Sequence, residues 1–551
     1  MPSTTLSPYE NGHVVNGKAN GYANGVDQKH LDKESHPLDP FFAPIGVALV
    51  GATDREGSVG RTILQNLVRS PFGGIVFPIN LKRSNVLGIK AYPTVSSVPD
   101  QVDLAVICIP AVQVPPAMED CGKKGVRGVI IISAGFAEEQ VGEGGKELLR
   151  KCLEIGKKYG MRIIGPNCLG VISSVSGLNA SFGPPNATVK RGSVAFLSQS
   201  GALICSVIDW ALSENFGFSH IVSLGSMSDV QWGDLIDYLG KDPRCSAIVM
   251  YMESIGNARA FLCAARRVAK SKPIIVIKVG RTEAGARAAA SHTGTMTGGD
   301  RVLDTAFERC GVLRVNSASD IFYLAEILTT QPLPRGNRLT IVTNAGGPGI
   351  LAADALALGG GQLADLDPST HAELNKFLPS VWSHANPVDI IGDASAEHYA
   401  KTTAVIAKDP NTNGIVVILT PQAMTDCTSS AEKIVEYLGD RSKPVIAAWM
   451  GGNEVKDGME ILKKNNIPAF PYSDLAANIF NYMWQFRKNL ERLDSQEDDI
   501  AAEDKVSDSL RRQAESIVLA AREKGDKFLS ETDSKKILDL YGIPVTPMVI
   551  A

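Results

Sequence analysis

The chain has 551 residues, of which 44% are hydrophobic and 21% charged, a composition typical of a globular protein with three or four domains. Its formal net charge of −4 gives no reason to expect nucleic acid or an anionic membrane as a partner. Nine cysteines without a Cys-x-x-Cys pair, and no apolar run long enough to span a membrane, indicate a reduced, cytoplasmic protein without disulfides or a metal site.

The first predicted elements follow a polar tail. Residues 1–38 are rich in Asn, Gly, Ser, His and Lys, and we expect them to be disordered. Continuous apolar strands then alternate with amphipathic helices, which predicts a parallel sheet covered on both faces over residues 39–175. The predicted strands are Ile45–Val50, Ile75–Phe77, Leu104–Ile109, Gly128–Ile132 and Arg162–Ile164, with helices at Ile63–Arg69, Ala117–Lys123 and Gly144–Tyr159.

The same alternation restarts twice, which predicts further doubly wound α/β domains over residues 176–331 and 337–482. Residues 483–528 are expected to be a charged helical linker. Residues 529–551 begin a new unit, with a capping box at Ser530 and Asp533 and a helix to Tyr541. The later predicted strands are Ser193–Leu197, Ile221–Leu224, Ala247–Tyr251, Ile274–Val279, Arg338–Val342, Gly414–Leu419, Pro444–Trp449 and Ala469–Pro471.

The loop Gly51–Gly60 after the first strand is glycine-rich, so backbone N–H groups there can approach a pyrophosphate at a helix start. The second strand is followed by Lys82 and Arg83 and not by an acidic residue, which argues against NAD and favours a nucleotide with an extra phosphate, such as coenzyme A. A merely tight turn is the competing interpretation. Asn167 is either a hydrogen-bond donor to a thioester or a turn residue beside Pro166. The candidate cofactor-binding residues are Gly51, Ala52, Thr53, Gly57, Ser58, Val59, Gly60, Lys82, Ile109, Pro110, Ala111, Ser133, Ala134 and Asn167.

His292 lies among small residues just before a predicted helix that begins at Asp300. The first N–H groups of a helix lack partners and favour an anion, and a neutral imidazole is a competent nucleophile, so His292 is a candidate phosphoryl carrier. A helix-capping or loop-filling histidine is the alternative. Glu253, at a strand end, could fix its tautomer, or be an ordinary polar loop residue.

A phosphohistidine carries nearly two negative charges, whereas one helix terminus stabilises an anion by only about 0.3–1 kcal/mol. Two helix starts facing each other would form a more adequate cradle, and the chain offers two glycine-rich candidates. The predicted phosphate-binding residues are Ser198, Gln199, Ser200, Gly201, Ala202, Thr293, Gly294, Asn344, Gly346, Gly347 and Gly349.

Seven strings, in order, resemble the nucleoside-diphosphate-forming acyl-CoA synthetases, relatives of succinyl-CoA synthetase, and the likeness covers nearly everything from Phe41 to Ala551. The resemblance implies a CoA-binding Rossmann-like domain, two succinyl-CoA synthetase-like (flavodoxin-like) domains and the start of an ATP-grasp domain. The strings are Gly51…Gly57-Ser58-Val59-Gly60, Ile164-Gly165-Pro166-Asn167-Cys168-Leu169-Gly170-Val171, Ser198-Gln199-Ser200-Gly201, Met252-Glu253-Ser254-Ile255-Gly256, Ser291-His292-Thr293-Gly294, Asn344-Ala345-Gly346-Gly347-Pro348-Gly349 and Asn386-Pro387-Val388-Asp389.

The resemblance also implies a reaction: acyl-CoA, phosphate and ADP are interconverted with a carboxylic acid, CoA and ATP, through an acyl phosphate and a phosphohistidine. By the same resemblance His292 is phosphorylated, Glu253 orients it, the two helix starts hold the phosphate, and Gly51–Gly60 with Lys82 binds coenzyme A. Acetyl is the commonest acyl group in the family. ADP is expected to collect the phosphoryl group, with Mg²⁺, at the ATP-grasp domain.

Residues 529–551 resemble only the opening of that ATP-grasp domain, so we expect a truncated product or a chain that needs the domain in cis or in trans, within a homo- or hetero-oligomer. One alternative is the CoA-binding regulatory core of a longer protein acetyltransferase, although the presence of His292 weighs against it. A citrate-cleaving lyase would need a domain for which 551 residues leave no room. An NAD-dependent dehydrogenase would need the missing acidic residue.

Overall fold

The computed structural model describes residues 36–136, 142–184, 189–214, 216–285, 287, 300–439, 441–495, 508–526 and 528–546. Their strands form three large sheets, in which most neighbouring strands run parallel, together with a small hairpin. The sheets follow one another along the chain, and we call them the first, second and third sheet. The predicted α/β fold class, with successive parallel sheets, is confirmed.

The first sheet has the strand order β2-β1-β5-β6-β7, and all its pairs are parallel. The strands are β1 Gly46–Val50, β2 Ile75–Ile79, β5 Leu104–Ile107, β6 Gly128–Ile131 and β7 Arg162–Ile164, and the hairpin strands β3 Asn85–Val86 and β4 Ile89–Lys90 lie between β2 and β5 in the chain. The helices are α1 Asp39–Phe42, α2 Val59–Arg69, α3 Val114–Lys124 and α4 Gly142–Tyr159.

The second sheet has the order β14-β13-β12-β10-β11-β8-β9. Its last two strands, β8 and β9, form an antiparallel hairpin, because the turn between them is too short for a parallel crossover. The strand β8 is also antiparallel to β11. The sequence analysis did not predict this hairpin. The predicted domain boundary at residue 175 falls inside this hairpin. The strands are β8 Gly170–Ser173, β9 Leu178–Ser181, β10 Arg191–Ser198, β11 Phe218–Ser223, β12 Ala247–Met252, β13 Ile274–Lys278 and β14 Leu313–Val315, and the helices are α5 Gly201–Ser213, α6 Trp232–Lys241, α7 Ala258–Ala269, α8 Asp300–Arg309 and α9 Ala318–Thr330.

The third sheet has the order β16-β15-β18-β19-β20, with β17 also paired to β15, and it is parallel throughout. Its strands are β15 Arg338–Thr343, β16 Gln362–Leu363, β17 Val388–Asp389, β18 Gly414–Leu419, β19 Val445–Trp449 and β20 Ala469–Phe470. Its helices are α10 Gly346–Leu358, α11 Pro368–Leu374, α12 Ala396–Lys408, α13 Cys427–Tyr437, α14 Asn453–Lys464 and α15 Ser473–Ser495.

Alternate residues of each strand enter different cores, as expected for sheets that are buried on both faces. In β1, Val47 and Leu49 enter the core shared with the second sheet, whereas Ala48 and Val50 face an outer core. The other face of the second sheet shares a core with the third sheet, to which Phe196 and Ile341 both contribute. The three sheets are therefore layers joined by continuous apolar cores.

Two predicted boundaries differ from the structure. The disordered tail was predicted to reach residue 38, but Leu38 is fully buried. The charged linker was predicted to begin at residue 483, but α15 continues to Ser495, and Met483, Phe486 and Leu493 are buried. In both places apolar side chains pack into a core formed by distant strands, a contact that local composition does not reveal.

The C-terminal region contains two further helices, α16 Asp508–Glu523 and α17 Glu531–Leu540. Ser530 caps α17 by accepting a hydrogen bond from the Asp533 N–H at 3.1 Å. Across the described ranges, none of the helices is both long enough and apolar enough to cross a bilayer.

Candidate active site

A cavity of about 600 Å³ lies at the carboxyl ends of β1, β2 and β5. This edge is where ligands of doubly wound sheets bind. Three of the predicted cofactor-binding residues, Gly51, Lys82 and Ile109, line the cavity. Gly57, Ser58 and Val59 are not among the lining residues; they lie at the start of α2, where Ser58 makes no side-chain capping bond to the helix.

Two glycines allow close backbone packing where the first strand ends, Gly51 against the end of β5 and Gly60 between α2 and the first strand. Gly51 has a φ of +101°, and a Cβ atom there would lie 2.8 Å from the Cys108 carbonyl oxygen. A Cβ atom on Gly60 would lie 2.2 Å from the Gly51 carbonyl oxygen. A side chain at position 60 would push the start of α2 away from the first strand, and one at position 51 would clash with the residues that follow β5.

Asn80, at the end of β2, braces the same loop, and the sequence analysis missed it. Its Nδ2 donates to the Ala52 carbonyl at 2.8 Å, and its Oδ1 accepts from the Lys82 N–H at 2.9 Å. Arg83, expected to be available for phosphate, instead forms an ion pair with Asp54. Lys82 is thus the cation that remains in the cavity wall.

The loop after β7 joins the first sheet to the second. Asn167 has a φ of +56°, and its backbone N–H donates to the Ser133 carbonyl at 3.0 Å. The Ser226 N–H donates to the Pro166 carbonyl at 2.9 Å. Ser133 and Asn167 therefore lie together at the seam between the sheets, and the side chain of Asn167 is exposed there.

Cys168 follows Asn167 but points into the core. Its thiol is buried and lies 3.3 Å from the Ile131 carbonyl oxygen. Burial raises the pKa of the Cys168 thiol to about 12. Because the thiolate is the nucleophilic form, this side chain acts as a packed thiol.

The helix α5 begins beside that seam. The Ser198 hydroxyl donates to the Ser200 carbonyl at 2.9 Å and accepts from the Ser200 N–H at 3.0 Å, and the Ser200 hydroxyl caps the helix. A Cβ atom on Gly201 would lie 3.2 Å from Leu169 Cβ. The first turn of α5, with Gly201 and Ala202, therefore lies against the loop that carries Asn167.

Gln199 ties this helix start to Glu253. Its Oε1 accepts from the N–H groups of Glu253 and Ser254 at 2.7 and 2.8 Å, and its Nε2 donates to the Ser254 hydroxyl at 2.9 Å. The Glu253 side chain is buried, with 8% exposure. Gln199 was predicted to bind phosphate, but in the structure its side chain is occupied by this brace.

The second predicted helix start, at α10, repeats the hydroxyl arrangement. The Thr343 hydroxyl donates to the Ala345 carbonyl at 2.8 Å and accepts from its N–H at 3.0 Å. Ala345 provides no side-chain cap, so the first N–H groups of α10, at Gly346 and Gly347, keep their capacity to bind an anion. A Cβ atom on Gly347 would meet nothing within 4 Å, whereas one on Gly349 would lie 3.1 Å from Thr343 Cγ2.

Asn344 differs from its predicted phosphate-binding role. The side chain is buried, its Nδ2 donates to the Thr420 carbonyl at 2.9 Å, and its Oδ1 accepts from the Thr420 N–H at 3.0 Å. These bonds hold the ends of β15 and β18 together, and they leave the amide turned away from the helix start.

His292, Thr293 and Gly294 lie outside the described residues, but both flanks of their segment are described. It leaves the second sheet after β13 and returns at Asp300, the first residue of α8. Arg281 lies 3.3 Å from the Asp300 carboxylate, and Arg314, which is 7% exposed, also binds Asp300. The two ends of the His292 segment are therefore joined at the carboxyl edge of the second sheet.

Lys278 is a buried cation near this point that the sequence analysis missed. It ends β13, which pairs with the strand that precedes Glu253. Burial lowers the pKa of Lys278, Arg314 lowers it further, and Asp300 and Glu253 partly offset the effect. No sequence pattern indicated this role, because Lys278 is distinguished only by the charged residues that the fold places around it, Arg314, Asp300 and Glu253.

Three family models match consecutive parts of the chain. Residues 46–174 match a CoA binding domain, residues 191–328 a succinyl-CoA ligase-like flavodoxin domain, and residues 339–491 a ligase-CoA domain. These ranges follow the three sheets.

Known proteins resemble the chain over most of its length. It is 41% identical to the α subunit of acetate–CoA ligase [ADP-forming] II of Pyrococcus furiosus, over 81% of this chain and 98% of that protein. It is 37% identical to acetate–CoA ligase [ADP-forming] I of Archaeoglobus fulgidus, over 93% of this chain and 72% of that protein. A solved acetyl-coenzyme A synthetase 1 of Candidatus Korarchaeum cryptofilum, in complex with phosphate and ADP, superposes with a TM-score of 0.76 at 38% identity and covers 83% of this chain and 98% of that chain.

Proposed function

Because the chain belongs to the ADP-forming acyl-CoA synthetases of the succinyl-CoA synthetase superfamily, we propose that its thioester and phosphate chemistry takes place where the Asn167 loop, the start of α5 and Glu253 meet. The chain is an acid–thiol ligase of the acetate–CoA ligase (ADP-forming) type. It interconverts acyl-CoA, phosphate and ADP with a carboxylic acid, CoA and ATP, and short acyl groups such as acetyl fit its relatives.

Coenzyme A binds in the cavity of the first sheet. Lys82 in the cavity wall and the uncapped start of α2 receive its phosphates, and Asn167 holds the thioester carbonyl at the seam. Phosphate then attacks this carbonyl carbon, the C–S bond breaks, and CoA leaves as the thiol with an acyl phosphate remaining. This placement is supported by the hydrogen bonds of the Asn167 loop, which join it to both the first sheet and the second sheet.

The phosphoryl group passes next to His292. A ring nitrogen of His292 attacks the phosphorus atom, the P–O bond to the acyl group breaks, and the carboxylate leaves. Glu253 accepts a hydrogen bond from the N–H of the other ring nitrogen, which fixes the tautomer. The N–H groups at the starts of α5 and α10 stabilise the phosphate charge.

The phosphohistidine is finally consumed by ADP on an ATP-grasp unit, supplied in cis or by a partner subunit. Two relatives are named as α subunits, which supports a partner of this kind. Mg²⁺ would accompany the nucleotide on that unit. In the described part of the chain, no three His, Cys, Asp or Glu side chains cluster closely enough to hold a metal ion, so no step is assigned to a metal here. We also propose a cytoplasmic location. It is supported by the nine cysteines, which are all free thiols.

One observation carries the proposal. The start of α5 contacts the thioester-side loop through Gly201 and Leu169, and it contacts the Glu253 loop through Gln199. A single helix terminus thus lies between the group that would present the acyl phosphate and the carboxylate that would orient the histidine. A purely structural loop would not require both contacts.

Mass spectrometry of the intact chain, after incubation with phosphate and a panel of acyl-CoA thioesters, tests the proposal. We expect one phosphate on His292 with acetyl-CoA and none in His292→Asn. Thermal unfolding of His292→Asn should match that of the unsubstituted chain, so that loss of the label reports chemistry.

Two results would contradict this function. Acyl-CoA turnover that His292→Asn leaves intact would favour the regulatory CoA-binding core instead. Phosphate found on another residue would reassign the nucleophile. ATP formation from ADP by the purified 551-residue chain alone would remove the need for the partner unit.

A further inference from the structure

A basic groove runs between α7 and α8, on the side of the second sheet that carries these helices. It encloses about 620 Å³, and its walls include Leu262, Val302 and three arginines, Arg266, Arg301 and Arg309. Val302 is 73% exposed. The groove therefore combines a small apolar floor with three guanidinium groups.

The three arginines keep their charge available. Across the described ranges, no ion pair joins Arg266, Arg301 or Arg309 to a carboxylate. The acidic residues of α8 are engaged elsewhere, since Asp304 binds Arg314 and Glu308 binds Arg492. The groove therefore presents an uncompensated positive charge, which favours an acidic occupant.

The end of α15 is fixed close to this groove. Lys270, directly after α7, lies 3.2 Å from Asp494, and Asn489 donates to the Val312 carbonyl at 3.1 Å. Leu493 packs where a Cβ atom on Gly311, just beyond α8, would lie 3.1 Å away. The chain therefore leaves α15 at Ser495 beside the ends of both helices that form the groove.

The next residues have the complementary charge. Residues 496–507 lie outside the described part of the chain, and they include Glu497, Asp498, Asp499, Glu503 and Asp504 against one basic residue, Lys505. Eight residues span at most about 28 Å, so this stretch is long enough to follow two adjacent helices.

We propose that the acidic stretch 497–504 binds the arginine-lined groove between α7 and α8 of the same chain. Guanidinium groups bind carboxylates in two-point geometry, and Ile500 would face the apolar floor beside Val302. The short connection to Ser495 raises the effective concentration of the stretch at the groove, so that individually weak pairs suffice. The tether before α16 is thereby held on the helix that follows the His292 segment.

Limited trypsin digestion of the intact chain tests this proposal, because Lys505 is the single tryptic residue in 496–507. Arg266→Gln, Arg301→Gln and Arg309→Gln together should speed cleavage after Lys505 about fivefold, since cleavage follows the open population. Arg335→Gln, which removes an exposed arginine outside the groove, is the matched control and should leave the rate unchanged. Raising the salt concentration should bring the unsubstituted chain up to the rate of the triple variant.

A chemical cross-link gives an independent reading. In Arg301→Lys, a carbodiimide should join the new amine to Glu497, Asp498 or Asp499, and peptide mass spectrometry should locate the bond within one chain. Equal tryptic rates in the triple variant and the unsubstituted chain, or a cross-link only to other acidic residues, would overturn the proposal. A cross-link that forms only between two chains, at a rate that depends on protein concentration, would also overturn it, because the occupant would then come from a second copy.

Discussion

The starts of α5 and α10 are two versions of one arrangement. In each, the last hydroxyl residue of a strand, Ser198 or Thr343, binds both backbone groups of the residue two positions later. The first start is then capped by Ser200 and packed against Leu169, whereas the second begins at an uncapped Ala345. The same turn is thus rigid and crowded in one place and open in the other.

The polar residue that follows the hydroxyl residue, Gln199 or Asn344, also makes different contacts at the two starts. Gln199 reaches across to the Glu253 loop, whereas Asn344 is buried against Thr420. The first start is therefore coupled to the carboxylate that would orient His292, and the second is coupled to its own sheet. The comparison suggests that the first start sets the geometry of the phosphate and the second supplies accessible N–H groups.

The largest effect should come from the carboxylate of the first start. Glu253→Gln should slow phosphohistidine formation about 100-fold, because a neutral amide does not stabilise the positive charge that the imidazole ring gains and can also turn its NH2 group towards the ring. Radiolabelled phosphate incorporation measures the rate. Asp389→Asn, which alters the carboxylate beside Gly346, is the matched change at the second start and should have a much smaller effect; an equal loss would mean that the two starts share one role.

The side chains of Asn344 and Gln199, which each brace one helix start, should differ in whether their removal affects mainly stability or mainly activity. Asn344→Ala should lower the free energy of unfolding by about 3 kcal/mol, because it removes a buried amide together with its hydrogen bonds to the Thr420 backbone. Gln199→Ala, at a partly exposed position, should cost about 1 kcal/mol yet slow phosphorylation about tenfold. Denaturant unfolding and phosphate incorporation measure the two quantities. The reverse ranking in either measurement would break the comparison.

The two glycines test crowding directly. Gly201→Ala should destabilise the chain by about 1 kcal/mol, because its Cβ atom would press on Leu169. Gly347→Ala should instead stabilise it by about 0.5 kcal/mol, since the added Cβ atom meets open space and alanine favours helix. Thermal unfolding under identical conditions gives both signs, and a loss of stability in Gly347→Ala would show that the second start is also crowded.

The last effect concerns Lys278 and the pH dependence of the free energy of unfolding. Burial lowers the pKa of Lys278 in the folded protein, so the unfolded chain holds this proton more tightly. The charge therefore reduces stability at neutral pH, and stability should rise as the pH climbs from the lowered pKa towards the ordinary lysine value of 10.5. Lys278→Met should raise the free energy of unfolding by about 1 kcal/mol at pH 7 and flatten that rise. Unfolding curves between pH 7 and pH 10 test both statements, and a steeper rise in the variant would refute them.

Much of the fold was predictable because its signals are local. Arg162–Ile164 and Gly414–Leu419 are strands with the predicted bounds, since short continuous apolar runs flanked by polar loops have few alternatives. The strand-end loops were likewise placed at one edge by topology alone. The pairing of β8 with β11 and the buried part of α15 were missed, because these contacts join residues that lie far apart in sequence.

The sequence by itself determined the family, the order of three mainly parallel sheets and the positions of the glycine-rich helix starts, because periodicity and short strings encode them locally. Only the tertiary structure decided what those residues touch. Gln199 and Glu253 are 54 positions apart and Asn344 and Thr420 are 76 apart, so their pairing depends on which strands become neighbours. Strand order is set by the packing of whole layers. For this reason Gln199 and Asn344, at equivalent turns, bind different partners: the Glu253 loop in one case and Thr420 in the other.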